Sequence, residues 1–160
     1  SVAAFASDVL ARLDQGDLDR VVIDLRFNGG GNSALLAPLV EGLAARERWG
    51  TPGATMVLIG HGTFSSAQLN AVELKRRVNA LLVGQPTGQR PNAYGEIRQF
   101  TLPNSGLTLG HSTKRFVTDP EDRPSTMPDV PVAVTISDWR EGRDPVLAAA
   151  IDWHPGAAAE

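Results

Sequence analysis

The sequence predicts an α/β layered domain built around a parallel sheet. Three short, continuous apolar runs, at 21–25, 55–59 and 80–83, have the length and β-branched content of strands buried on both faces. Segments of helical periodicity lie between them, and the connections are short. Strand and helix therefore alternate in the order that gives parallel crossovers and an α/β core.

Taken in order, Phe5, Val9, Leu10 and Leu13 recur at helical spacing with Gly16 as a stop, which predicts a helix over 3–14. The strand 21–25 runs into the turn Asn28-Gly29-Gly30-Gly31-Asn32-Ser33, followed by a helix over 34–48. The strand 55–59 is followed by Gly60-His61-Gly62, a helix over 65–78 and the strand 80–83. Beyond Gly84 the texture changes, with Pro86, Gly88, Pro91, Gly95, Pro103 and Gly106 punctuating short strands near 96–102 and 106–109. A further strand is expected over 130–136, and Asp144 opens a last helix with Pro145 at its first position. Residues 156–160 read as a frayed tail.

The chain of 160 residues, 42% hydrophobic and 21% charged, suits one domain with a real core, and neither repeat nor linker divides it. Its net charge of -3 comes from interspersed signs without a basic stripe, so nucleic-acid binding by phosphate neutralisation has little to work with. No apolar run approaches the roughly 20 residues that span a bilayer. The opening segment is amphipathic and acidic rather than leader-like, begins without an initiator Met, and reads as a portion of a longer protein. Cysteine is absent, and His61, His111 and His154 have no zinc-site spacing. Neither metal nor organic cofactor is implied, and chemistry falls to a hydroxyl or to carboxylates.

Two turns could carry that chemistry. Consecutive glycines at 29–31 let main-chain N–H groups face outward together, a nest for a carboxylate, a phosphate or an oxyanion. The simpler alternative is a tight strand-to-helix turn, and neither nucleotide-binding glycine pattern fits. In Gly62-Thr63-Phe64-Ser65-Ser66-Ala67 a serine sits where a strand becomes a helix, beside free N–H donors. On spacing alone, helix capping by Ser65 or Ser66 is the stronger reading.

Five segments in one order shift that balance: VVIDLRFNGGGN (21–32), LIGHGTFSSAQLNA (58–71), LLVGQPTGQRPNAYGE (81–96), FTLPNSGLTLGHST (100–113) and MPDVPVAVT (127–135). Together they resemble the successive motifs of the C-terminal-processing (tail-specific) serine peptidase family, including its tricorn-core relatives. The resemblance implies a ClpP/crotonase-like spiral of ββα units and places the nucleophile on Ser65. It also implies an oxyanion hole from the Ser66 N–H and from Gly30 or Gly31.

The chain departs from the family at the base. Arg90 stands where the bacterial branch has a lysine, and a guanidinium does not give up its proton, so the Ser–Lys dyad is absent. The lysines Lys75 and Lys114, the latter expected in a late loop, do not fall on motif positions. The tricorn-like branch uses a histidine upstream of the matching stretch and a glutamate whose counterpart here is Asp122, otherwise a solvated loop carboxylate. Within the chain His61, four residues before Ser65, is the internal candidate for the base; His111 and His154 are not.

The function so implied is a serine-type peptidase acting on peptide or protein substrates through an acyl-enzyme, with self-association left open. A second reading is a catalytically impaired peptide-binding domain, in which Arg90 holds a peptide's terminal carboxylate. A third is a crotonase-like acyl-CoA enzyme, which has no use for a serine nucleophile.

Overall fold

The computed structural model describes residues 1–156. Its parallel sheet has the order β1-β2-β3-β6, from β1 (Val21–Asp24), β2 (Thr55–Ile59), β3 (Leu81–Gly84) and β6 (Val130–Pro131). The register pairs Val22 with Met56 and Met56 with Leu81, so the three apolar runs align side by side. Every residue of β2 is buried, as expected of a central strand covered on both faces.

Alternate side chains supply two cores. Val57, Ile59 and Leu82 pack beneath α1 (Val2–Leu13), α2 (Ala37–Ala44) and α3 (Ser66–Val78), together with Leu43, Leu74 and Trp49. Met56, Leu58 and Val83 face the other way, onto Val146 and Ala150 of α5 (Pro145–Ile151). A separate antiparallel hairpin, β4 (Ala93–Thr101) and β5 (Thr108–Phe116), completes the fold.

Most of the expected elements are found, and the differences have local causes. The helix expected over 34–48 is divided: a tight turn of helix at Ser33–Leu36, then α2, then another tight turn at Glu47–Gly50. Arg46 is extended at the second break, which lets Trp49 turn back into the core. The strand expected over 130–136 keeps only Val130–Pro131 in the ladder, where Pro131 has no N–H to give. Its last residue instead opens α4 (Ile136–Arg140), which begins at a reciprocal cap between Thr135 and Asp138.

The hairpin is longer than the short strands expected there, because Gly95 and Gly110 do not break it. The flank of Gly95 is filled by the Phe116 ring and that of Gly110 by Ile97. Lys114 therefore lies on β5 and not in a loop. Of the tail expected to fray, residues 157–160 lie outside the described residues.

Candidate active site

The site is assembled where β1 and β2 end. Buried Thr63 ties the two ends together: its hydroxyl donates to the Leu25 carbonyl at 2.8 Å and accepts the Gly60 N–H at 3.0 Å. The Phe64 N–H donates to the Asn28 carbonyl at 3.1 Å, which draws the serine turn onto the glycine turn. Gly62 permits this approach, since a Cβ there would lie 2.5 Å from the Arg26 carbonyl oxygen.

Ser65 is the residue immediately before α3, with φ 52 and ψ -122. That combination lies outside the regions open to an L-residue at low energy. Its hydroxyl makes no capping bond, so the capping alternative fails for Ser65. Gly30, at φ 106, sits directly against it, and a Cβ on Gly30 would be 2.6 Å from the Ser65 Cβ. The Ser66 hydroxyl donates to the Gly31 carbonyl at 2.7 Å and fixes the glycine turn to the start of α3.

The two glycines named as alternative donors differ in what they offer. The Gly30 N–H is already committed to Asn28 Oδ1 at 2.9 Å. The Gly31 N–H makes no hydrogen bond among the described residues, and neither does the Ser66 N–H at the first turn of α3. Gly31 and Ser66 line one cleft with Ser65, and both also border a smaller cavity that Gly30 lines.

That cleft has a volume of about 800 Å³, enough for several residues of a peptide. Leu69, Phe64, Ile97 and Phe116 give it apolar walls, and the hairpin forms one side of it. Lys114 lies in it as a cation, 3.4 Å from Glu96 Oε1 and 4.9 Å from the centre of the Phe116 ring.

The remaining expected residues go elsewhere. His61 is not in this cleft; it lines a cavity of about 380 Å³ with Trp139, Arg26 and Asp144. That cavity is bounded by Pro145 and Val146 of α5, so the fold does not bring His61 and Ser65 together in one cleft. Arg90 and Asp122 are paired to each other, Nη2 donating to the Asp122 carbonyl at 3.0 Å and lying 3.4 Å from its carboxylate. Asn92 Nδ2 bonds the same carboxylate at 3.0 Å. Both residues are exposed, Arg90 between β3 and β4 and Asp122 after β5, and neither is among the residues that line the cleft.

Sequence reasoning missed Gln89, whose Oε1 accepts the Ser65 N–H at 2.6 Å, and the Lys114–Glu96 pair. A glutamine in a loop rich in glycine and proline carries no spacing signal. Lys114 would have been found had the hairpin been drawn to its full length. Among the described residues no cluster of His, Asp or Glu could hold a metal ion, and no helix is long and apolar enough to cross a membrane.

No family model and no curated protein matches the chain. Among solved structures, a candidate peptidase from Parabacteroides merdae matches with TM-score 0.65 at 20% identity, over 91% of this chain and 55% of that one. The photosystem II D1 C-terminal processing protease matches with TM-score 0.58 at 20% identity, over 81% and 38%. A candidate S41 protease from Bacteroides fragilis matches with TM-score 0.56 at 15% identity, over 92% and 48%. This chain thus spans 38–55% of the length of these three. The resemblance to C-terminal-processing peptidases read from the sequence is present in the structure as well, as a likeness of fold.

Proposed function

We propose that this chain carries the Ser65 site of a serine-type peptidase that cuts peptide bonds through an acyl-enzyme. One observation carries the reading: Ser65 is held in a strained turn with a free hydroxyl, in one cleft with two main-chain amides that donate to nothing else among the described residues. Strain of this kind persists only where the surroundings enforce it, and it collects at reacting centres.

In this reading Ser65 Oγ attacks the scissile carbonyl carbon, and the resulting oxyanion is met by the Gly31 and Ser66 N–H groups. The C–N bond then breaks, the serine proton passes through a base to the leaving amine, and water hydrolyses the ester. Each amide donor contributes about 2.7–4 kcal/mol of transition-state stabilisation in comparable sites. No histidine lines the cleft, and Lys114, which does, falls on no motif position and pairs with Glu96 at 3.4 Å. The reading therefore assigns the base to a group outside the described residues. It also takes β1 to β3 and their helices as turns of a ClpP/crotonase-like spiral.

The second reading, a peptide-binding domain without turnover, is favoured by the Arg90–Asp122 pair. Arg90, at the position of the bacterial branch's lysine, and Asp122, at that of the tricorn-like branch's glutamate, here pair with each other instead. A fluorophosphonate separates the two readings. A peptidase becomes labelled at Ser65, located by peptide mass spectrometry, and Ser65→Ala loses labelling and hydrolysis together. A protein that binds peptides in the cleft, leaves them intact and never labels is the binding domain.

A further inference from the structure

We propose that Gln89 is a positioning residue for Ser65, its side-chain carbonyl holding the Ser65 amide and with it the strained serine turn. The proposal rests on the peptidase reading of Ser65. Preceding α3, the Ser65 N–H has no partner in the helix ladder, and the acceptor it finds is Gln89 Oε1, at 2.6 Å. A half-buried N–H without an acceptor would favour relaxation of the turn.

Gln89 is delivered by a braced loop. Buried Thr87 donates its hydroxyl to the Gln89 carbonyl at 3.0 Å, accepts the Thr126 N–H at 3.0 Å, and gives its own N–H to the Thr126 carbonyl at 3.1 Å. Gly88 lies so close to the His61 carbonyl that a Cβ there would fall 2.1 Å from its oxygen. On the other side Arg90 grips Asp122, and Asn92 uses both of its amide donors and both of its acceptor directions on the 118–122 segment. The Arg90–Asp122 pair thereby gains a part: it holds the loop that presents Gln89.

The hold has a chemical consequence. With Gln89 seated, the nucleophile's own N–H is occupied, and the oxyanion is left to Gly31 and Ser66.

The test compares Gln89→Ala, Gln89→Asn and Gln89→Glu in the protein that labels at Ser65. Gln89→Ala should slow fluorophosphonate labelling about tenfold or more, and peptide hydrolysis should lose kcat with KM nearly unchanged, because a small misplacement of a nucleophile costs that much. Hydrogen exchange at the Ser65 amide should quicken by a similar factor of about ten, with the melting temperature nearly unchanged. Gln89→Glu keeps an acceptor at the same reach and should keep exchange at the Ser65 amide slow, while its charge beside the developing oxyanion slows labelling. Gln89→Asn draws the carbonyl back by one methylene and should behave like the alanine variant, a distinction that a loop-stabilising role would not make.

A Gln89→Ala protein that labels at the wild-type rate overturns the proposal. One that labels faster overturns it too, since Gln89 would then be a plug that frees a third donor on leaving. A wild-type protein that never labels ends the peptidase reading instead. In that case exchange at Ser65 still decides whether Gln89 holds the turn: unchanged protection in Gln89→Ala shows that it does not.

Discussion

Ser65 is one of four described non-glycine residues with positive φ, with Asn79, Glu96 and Asp122. Asn79 ends α3 in the left-handed conformation that asparagine adopts at low cost. Ser65, with ψ -122, has no such excuse. Replacing it by glycine should raise stability by about 1–2 kcal/mol, read from the urea midpoint, while Ser65→Ala changes it little because the alanine Cβ keeps the strain. If Ser65→Gly stabilises no more than Ser65→Ala, the turn is not strained, and the main support for a reacting serine goes with it. Gly30→Ala should do the reverse, pressing a Cβ against Ser65 at φ 106 and lowering both stability and labelling. The serine turn was legible in sequence because a strand, a glycine and a small-residue helix start follow one another within a few positions. Whether Ser65 caps or reacts was not, since that depends on a ψ angle and on Gly30, 35 residues away in the chain.

At the scale of elements, Arg26 shows how much a correct strand assignment leaves unsaid. In sequence it is only the residue after the apolar run 21–25. In the fold its guanidinium bonds Asp24 at 2.7–3.2 Å and Asp144 at 2.7 and 2.8 Å. Asp144 in turn caps α5 by accepting the Leu147 N–H at 2.9 Å. One arginine thus joins the end of the edge strand to the start of the helix on the far face, across 118 positions of sequence that no local pattern can bridge. Bonds from Arg26 hold both carboxyls below their ordinary range, against some desolvation. A depressed carboxyl contributes stability above its unfolded value, near pH 4, that is lost as pH falls through the lower folded value. Arg26→Met should therefore cost about 1–2 kcal/mol at pH 7, a figure reduced for partial exposure of both carboxylates. The difference from the parent protein should shrink towards zero as urea titrations are taken from pH 7 down to pH 3. A constant difference would mean that packing of the arginine stem, not its charge, is what the fold uses.

For the whole molecule, the contrast between the sheet and the hairpin sets the dynamics of the site. The parallel sheet was legible because β1, β2 and β3 are continuous apolar runs, and β2 sits between two cores with Met56, Val57 and Leu58 fully buried. The hairpin was underdrawn because β4 and β5 pair only with each other and stay largely exposed, so they lack an alternation of buried and exposed positions to read. A two-stranded ribbon has little stability of its own. Its tip and outer length, including Phe100, Leu107 and Leu109, stand in solvent, while its base is fastened by Phe116 over Gly95 and by Asn92. Amide exchange should therefore be graded. The β2 amides should exchange only through global unfolding, those of the distal hairpin at least about a hundredfold faster, and those at its base in between. Since Ala93, Ile97, Lys114 and Phe116 of that base form one wall of the Ser65 cleft, a peptide lodged there should slow exchange at the base selectively. Equal protection of hairpin and β2 without any ligand would instead show the ribbon to be covered. If that protection fell on dilution, the cover would be a second copy of the chain.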